Sequence, residues 1–181
     1  MSAQDHPPLR PPMHIVAMGV TATGKTTVAE ELASRLDLEF AEGDDLHPPA
    51  NIEKMSAGTP LDDDDRRPWL QAIADLIAEQ HQNGTSAVVT CSALKRSYRD
   101  ILRSGLSDSD IFFVHLHSDF DVLHERMAQR TKHFMPASLL QSQFDTLEPL
   151  QDDEYGVLVD VAPPVEVVVD EAENAVRATY V

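Results

Sequence analysis

"GVTATGKTT", at Gly19–Thr27, constrains the fold of this chain more than any other stretch. It satisfies the pattern G-x-x-x-x-G-K-S/T through Gly19, Gly24, Lys25 and Thr26. The two glycines let the backbone bend around phosphates with its N–H groups inward, and the start of the following helix adds positive potential. The lysine reaches the β- and γ-phosphates, and the next hydroxyl ligates Mg²⁺. Such a loop needs a buried strand before it and an amphipathic helix after it. "HIVAM" (14–18) is the short apolar run, and Val28, Ala29, Leu32, Ala33 and Leu36 make one helical stripe from Lys25 onward. The loop residues Gly19, Val20, Thr21, Ala22, Thr23, Gly24, Lys25, Thr26 and Thr27 are therefore expected to hold the phosphates of ATP.

Further strands are read at "LEFAE" (38–42), "SAVVTCSA" (86–93), "DIFFVHL" (110–116) and "YGVLVDVA" (155–162). "HPPANIEKMSAG" (47–58) predicts a short helix that begins after the prolines and stops at Gly58. A longer helix follows in "DDDDRRPWLQAIADLIAEQHQNG" (62–84), with Trp69, Ile73, Leu76 and Ile77 on one face and acids at the positive end of its dipole. Pro68 leaves its first residue open. "SDFD" (118–121) resembles a capping box with Asp in place of Glu or Gln, and Val122, Leu123 and Met127 follow it. Leu139, Leu140, Gln143, Phe144 and Leu147 have helical spacing. So do the apolar residues at 165, 168, 169, 172 and 176, despite the valines. Strands alternating with helices predict an α/β fold: a five-stranded parallel sheet covered on both faces, with its site at the carboxyl ends of the strands. The length suits one domain, residues 13–181, after a proline-rich tail (1–12) expected to be disordered and lacking the apolar region of a secretory signal.

The chain carries 31 acidic and 14 basic residues, a formal net charge of −17. That field repels nucleic acid and anionic membrane, so neither is expected as a partner. No apolar run approaches the roughly 18 residues of a spanning helix. The single cysteine, Cys91, rules out an intrachain disulfide, which fits a cytoplasmic location. It reads as a small buried residue rather than a nucleophile.

Several residues could carry acceptor chemistry. The carboxylates of "AEGDDLHP" (41–48) end a strand beside the phosphate site, where one could orient or deprotonate a hydroxyl; they could equally form a solvated turn. Arg66 and Arg67 offer cations for an anionic acceptor. Arg126 and Arg130, four apart, share a helical face and with Lys132 and His133 form a basic cluster able to close over ATP like a lid, or else a solvated face. His47 and His133 lack metal-ligand spacing.

The segments "MGVTATGKTT", "GDDLHPPANIEKMSAGTPLDDDDRRPWL", "CSALKRSYRDILR", "FVHLHSDFDVLHERMAQRTKHFMPASLLQSQFDTLEPL" and "VLVDV" together resemble the bacterial gluconate kinase family, of the P-loop, nucleoside-monophosphate-kinase-like type. The likeness runs from about Met13 to the C-terminus. It implies transfer of phosphate from ATP to D-gluconate, giving 6-phospho-D-gluconate, with Mg²⁺. It also implies a helical substrate-binding region at about 45–85, a lid at about 130–140 and a homodimer. On this resemblance Asp44 meets the acceptor hydroxyl, and His47, Lys54 and Arg66 lie in the sugar-acid pocket. Ser92, Lys95 and Arg99 face the substrate from the loop after the third strand. Arg126 and Arg130 clamp phosphates or stack on adenine, Arg130 with a catalytic role beside Lys25 and Asp44, while His133 falls in the lid. Ala22 and Thr23 stand where relatives often have glycine and serine, and Glu42 where many have aspartate; Glu42 is assigned to the metal with Thr26. Rival readings are a kinase of shikimate or a nucleotide, which "LHPPANIEKM" argues against, and a nucleotide-dependent switch, which would carry an N-K-x-D motif that is absent.

Overall fold

The computed structural model describes residues 9–10, 12–129 and 137–181. Five strands form one parallel sheet: β1 (His14–Met18), β2 (Glu39–Ala41), β3 (Ala87–Thr90), β4 (Ile111–His117) and β5 (Gly156–Asp160), in the order β2-β3-β1-β4-β5. Strands β1 and β3 and most of β4 are buried residue after residue, which is why they read as unbroken apolar runs rather than alternating ones. The helices are α1 (Lys25–Leu36), α2 (Pro49–Ser56), α3 (Asp63–Gln82), α4 (Arg96–Leu102), α5 (Phe120–Ala128), α6 (Ala137–Thr146) and α7 (Val165–Tyr180).

From β1 to β2 the chain steps one way across the sheet, and from β2 to β3 to β4 it steps back. Right-handed crossovers therefore put α1 on one face, beside α7, and α3 on the other, beside α4. The reversal falls at β1. A crevice at a carboxyl end is expected there, and the phosphate loop leaves β1 at that end.

Local chemistry sets the element ends. The buried face of α1 is Val28, Ala29, Leu32, Ala33 and Leu36, the stripe read from the sequence. The start of α3 is fixed by a reciprocal cap. Asp62 Oδ1 accepts from the Asp65 N–H at 2.8 Å, and Asp65 Oδ2 accepts from the Asp62 N–H at 3.0 Å. Pro68 thus lies inside the helix. The box expected at 118–121 does not form: Asp119 is the N-cap of α5 and its side chain makes no capping hydrogen bond. Helix α4 has no counterpart among the predicted elements; it is short and charged, and its buried face is Tyr98, Arg99 and Leu102. The tail expected to be disordered is docked where it is described, with Leu9 packed on the core and the Arg10 N–H donating to the Tyr180 carbonyl at 3.3 Å. Residues 1–8 and 11 lie outside the described residues, as do 130–136, which hold Arg130, His133 and most of the expected lid.

Candidate active site

The phosphate loop is built on close backbone approaches. At Gly19, φ is +141° and a Cβ would come within 2.3 Å of the Leu116 carbonyl oxygen, so no side chain fits. The Gly19 N–H donates to the Ser92 carbonyl at 3.2 Å, tying the loop to the segment after β3. Ala22 has φ +68°, an uncommon value for a residue with a Cβ. Gly24, at φ +81°, is the N-cap of α1 and provides no side-chain cap, so the first N–H groups of the helix remain for an anion. Lys25 Nζ folds back over the loop and donates to the carbonyls of Gly19 and Val20, each at 3.0 Å.

Strand β2 delivers the acids. Glu42 bridges two elements: Oε2 accepts from the Thr26 hydroxyl at 2.6 Å, and Oε1 accepts from the Thr90 hydroxyl at the end of β3. Thr90 Oγ1 also accepts from the Gly43 N–H at 2.9 Å. Gly43 lies against β3 so closely that a Cβ would stand 1.8 Å from the Thr90 carbonyl oxygen. The Trp69 indole N–H donates to the Gly43 carbonyl at 2.8 Å and secures the same turn from α3.

Past that turn a cleft of about 350 Å³ opens between the loop, the start of α3 and α6. Its floor includes Lys25, Asp44, His47, Arg66 and Ser92. Lys25 and Arg66 are the cations among its described lining residues. The Asp44 side chain opens into the cleft, 70% exposed. Partial desolvation by the cleft walls raises the carboxyl above the usual aspartate range; Lys25 opposes this, and Glu42 and Asp45 add to it. His47 stacks on Trp69, with ring centroids 4.0 Å apart. Burial and then Arg66 lower its pKa to about 4, so the ring is neutral at pH 7. Asn51 Nδ2 donates to His47 Nδ1 at 3.3 Å, which puts the ring proton on Nε2, 3.9 Å from Asp44 Oδ1. Arg66 is buried and donates to the Tyr98 hydroxyl at 3.2 Å. Tyr98 in turn donates to Asp63.

Not every expected pocket residue arrives. Arg99 is fully buried away from the cleft. It donates to both carboxylate oxygens of Glu154, at 2.7 and 3.1 Å, and to the carbonyls of Ala93, Glu148 and Pro149. Burial alone would raise the Glu154 pKa, but Arg99, the Gln151 N–H and Arg103 hold it down to about 2. Lys54 pairs with Asp65 at 2.5 Å, and Lys95 pairs with Asp63 at 3.0 Å; neither lines the cleft. Arg126 donates to the Val161 carbonyl after β5, on the opposite side of β1 from Asp44. Cys91 is buried and its thiol is pushed up to about 12, chiefly by desolvation. Among the described residues no group of three or more His, Cys, Asp or Glu could hold a metal ion. No described helix is long and apolar enough to cross a membrane.

The sequence reading of the site does not include Trp69 and Gln143, which line the cleft, or Thr90, which holds Glu42 and Gly43. Trp69 and Gln143 have the spacing of apolar helical stripes, and Thr90 lies inside a strand pattern. Only the position of Thr90 at the carboxyl end of its strand could have marked it.

The family described as "AAA domain" matches residues 15–150. A curated protein named "Gluconokinase", from Gluconobacter oxydans (strain 621H), is 53% identical over 160 residues, covering 88% of this chain and 89% of its own length. The "Thermoresistant gluconokinase" of Escherichia coli (strain K12) is 46% identical over 155 residues, covering 85% and 87%. Among solved structures, the crystal structure of a gluconokinase from Sinorhizobium meliloti 1021 superposes with a TM-score of 0.85 at 49% identity, covering 93% of this chain and 94% of that one.

Proposed function

The chain belongs to the gluconokinase family, and from that premise we propose how its cleft transfers phosphate from ATP to D-gluconate, giving 6-phospho-D-gluconate. One observation carries the proposal: Lys25 of the phosphate loop and Asp44, at the end of β2, line the same cleft with Arg66 and the neutral His47. Donor and acceptor chemistry therefore meet in one place.

On the donor side, residues 19–27 wrap the β- and γ-phosphates with backbone N–H groups, and Lys25 neutralises charge on the transferred group. Arg126, held at the loop after β5, belongs to the nucleotide side of β1. On the acceptor side, Arg66 suits the gluconate carboxylate through its planar fork of donors. Asp44 accepts the proton of the 6-hydroxyl, and His47 Nε2–H steadies that carboxylate. The γ-phosphorus leaves the β,γ-bridging oxygen as its bond to the gluconate oxygen forms, in line. Most of the rate comes from positioning and charge neutralisation.

Mg²⁺ fits the donor set, since the Thr26 hydroxyl and the Glu42 carboxylate are hard oxygens brought together at the loop. Thr26, with Glu42 behind it, would hold the ion, which when bound offsets phosphate charge. We read residues 13–181 as one domain, with about 45–85 as the acceptor-binding region, acting as a cytoplasmic homodimer without nucleic acid or membrane partners. The net charge of −17 supports the last two. The curated relatives at 53% and 46% identity carry the name gluconokinase, which favours gluconate over shikimate or a nucleotide as acceptor and over a nucleotide switch. Phosphorus NMR of the product tests the assignment: a primary phosphate ester on the terminal carbon of gluconate supports it, and inorganic phosphate alone refutes it.

A further inference from the structure

Helix α6 turns Leu139, Ser142 and Gln143 toward the cleft, at the spacing of one helical face. Gln143 Oε1 accepts a hydrogen bond from the backbone N–H of Thr21, in the middle of the phosphate loop, at 2.7 Å. The two residues are 122 apart in sequence, so the contact joins the far wall of the cleft directly to the loop.

That contact determines which way the amide faces. Thr21 N–H can only donate, so the carboxamide must present its oxygen to the loop. The NH₂ group then occupies the other branch, on a side chain that lines the cleft, and no partner for it is recorded among the described residues. Two N–H donors in a half-buried position favour an occupant that brings acceptor oxygens. The chemistry of the neighbours divides the work. Arg66 suits a carboxylate, and Asp44 suits the hydroxyl that reacts. A neutral amide suits a neutral hydroxyl. A carboxylate at position 143 would repel phosphate, and an ammonium could not accept from the loop. The amide accepts from Thr21 and donates into the cleft without adding charge.

Resting on the gluconate reading above, we propose that Gln143 is a specificity-determining residue: its Nε2 group donates to a non-reacting hydroxyl of the sugar acid while its Oε1 atom holds the Thr21 N–H. Acceptor recognition is thereby coupled to the register of the phosphate loop. A bound acceptor that satisfies the amide steadies the loop, and one without that hydroxyl leaves a buried donor unpaired.

The test pairs enzyme and substrate changes. Wild type and Gln143→Met, which keeps the side chain's size, are assayed with gluconate and with gluconates lacking one hydroxyl in turn; thermal melts check folding. In wild type, removal of the recognised hydroxyl lowers kcat/KM by about tenfold, the effect of one lost hydrogen bond. In Gln143→Met that deficit shrinks to within about twofold, while the deficits for the other hydroxyls persist. A second variant, Gln143→Leu, also lacks the amide and adds no charge, so it loses the same discrimination. If every deficit is equal in wild type and both variants, Gln143 is a strut for the loop and the proposal is overturned. A wild type that does not turn gluconate over would instead refute the functional reading itself.

Discussion

Thr26 donates its hydroxyl proton to Glu42 Oε2 at 2.6 Å, so the residue after the phosphate-loop lysine is oriented by an acid from β2. The opposite oxygen of Glu42 is held by Thr90. Replacing Glu42 by alanine releases both hydroxyls at once. Hydrogen bonds to a charged group contribute about 1.5–3 kcal/mol each, so Glu42→Ala should lower kcat/KM by about tenfold or more. It should also raise the Mg²⁺ concentration needed for half-maximal activity. A Mg²⁺ titration superposing on that of wild type would remove Glu42 from the metal's surroundings.

In the proposed mechanism Asp44 acts as a carboxylate, and its surroundings raise its pKa above the usual aspartate range. Activity should therefore fall as pH drops through that raised value, because protonation removes the acceptor for the hydroxyl proton. Asp44→Asn should lower kcat by about a hundredfold, within the range of general-base effects, with little change in the KM for ATP. The variant's residual activity should lack the acidic limb. An Asp44→Asn enzyme with normal turnover would take the proton-accepting role from this residue.

Two arginines with similar prospects in the sequence have opposite fates. Arg66 lines the cleft, so Arg66→Ala should raise the gluconate KM about tenfold or more, consistent with a lost charged hydrogen bond, at a nearly constant KM for ATP. Arg99 is sealed against Glu154, and breaking a buried pair costs about 3–5 kcal/mol. Arg99→Met should lower the melting temperature sharply, and the molecules that fold should keep the wild-type gluconate KM. A stable Arg99→Met with a raised gluconate KM would return this residue to the pocket.

His14 and His115 are buried, neither ring nitrogen of either has a hydrogen-bond partner among the described residues, and desolvation lowers each pKa to about 4. His81 also lowers the His14 value while Asp110 raises it; His117 and Arg99 lower that of His115. Unfolded, both rings titrate near 6.5, so between 6.5 and about 4 the unfolded chain binds more protons. Stability should be fully present above that window and fall through it, by at most about 3 kcal/mol per ring. Urea unfolding at a series of pH values checks this: His115→Leu should flatten the slope, and an unchanged slope would contradict it.

The strand–loop–helix frame was legible because each part carries a local signal. The stripe of α1 and the valine-rich α7 both followed from apolar period, with Pro164 before the first turn of α7. What escaped depended on contacts distant in sequence. Whether Arg99 faces substrate or Glu154 is settled by residues more than fifty positions away. Gln143 looked like one more member of an apolar stripe until the fold brought Thr21 to it. Helix α4 was missed because its inner face is made with a buried arginine rather than an aliphatic residue. The box at 118–121 failed because the chain enters α5 one residue later than the pattern assumed.

Whether the cleft accepts gluconate is measured most directly by ADP release. Purified protein with ATP and Mg²⁺ is assayed without acceptor, with D-gluconate, with shikimate and with a nucleoside monophosphate. Gluconate should stimulate ADP release by about a hundredfold or more over no acceptor, the gain expected from positioning a hydroxyl in place of water. The other two should leave the rate near background. Stimulation by shikimate or the nucleotide, with none by gluconate, would contradict the account.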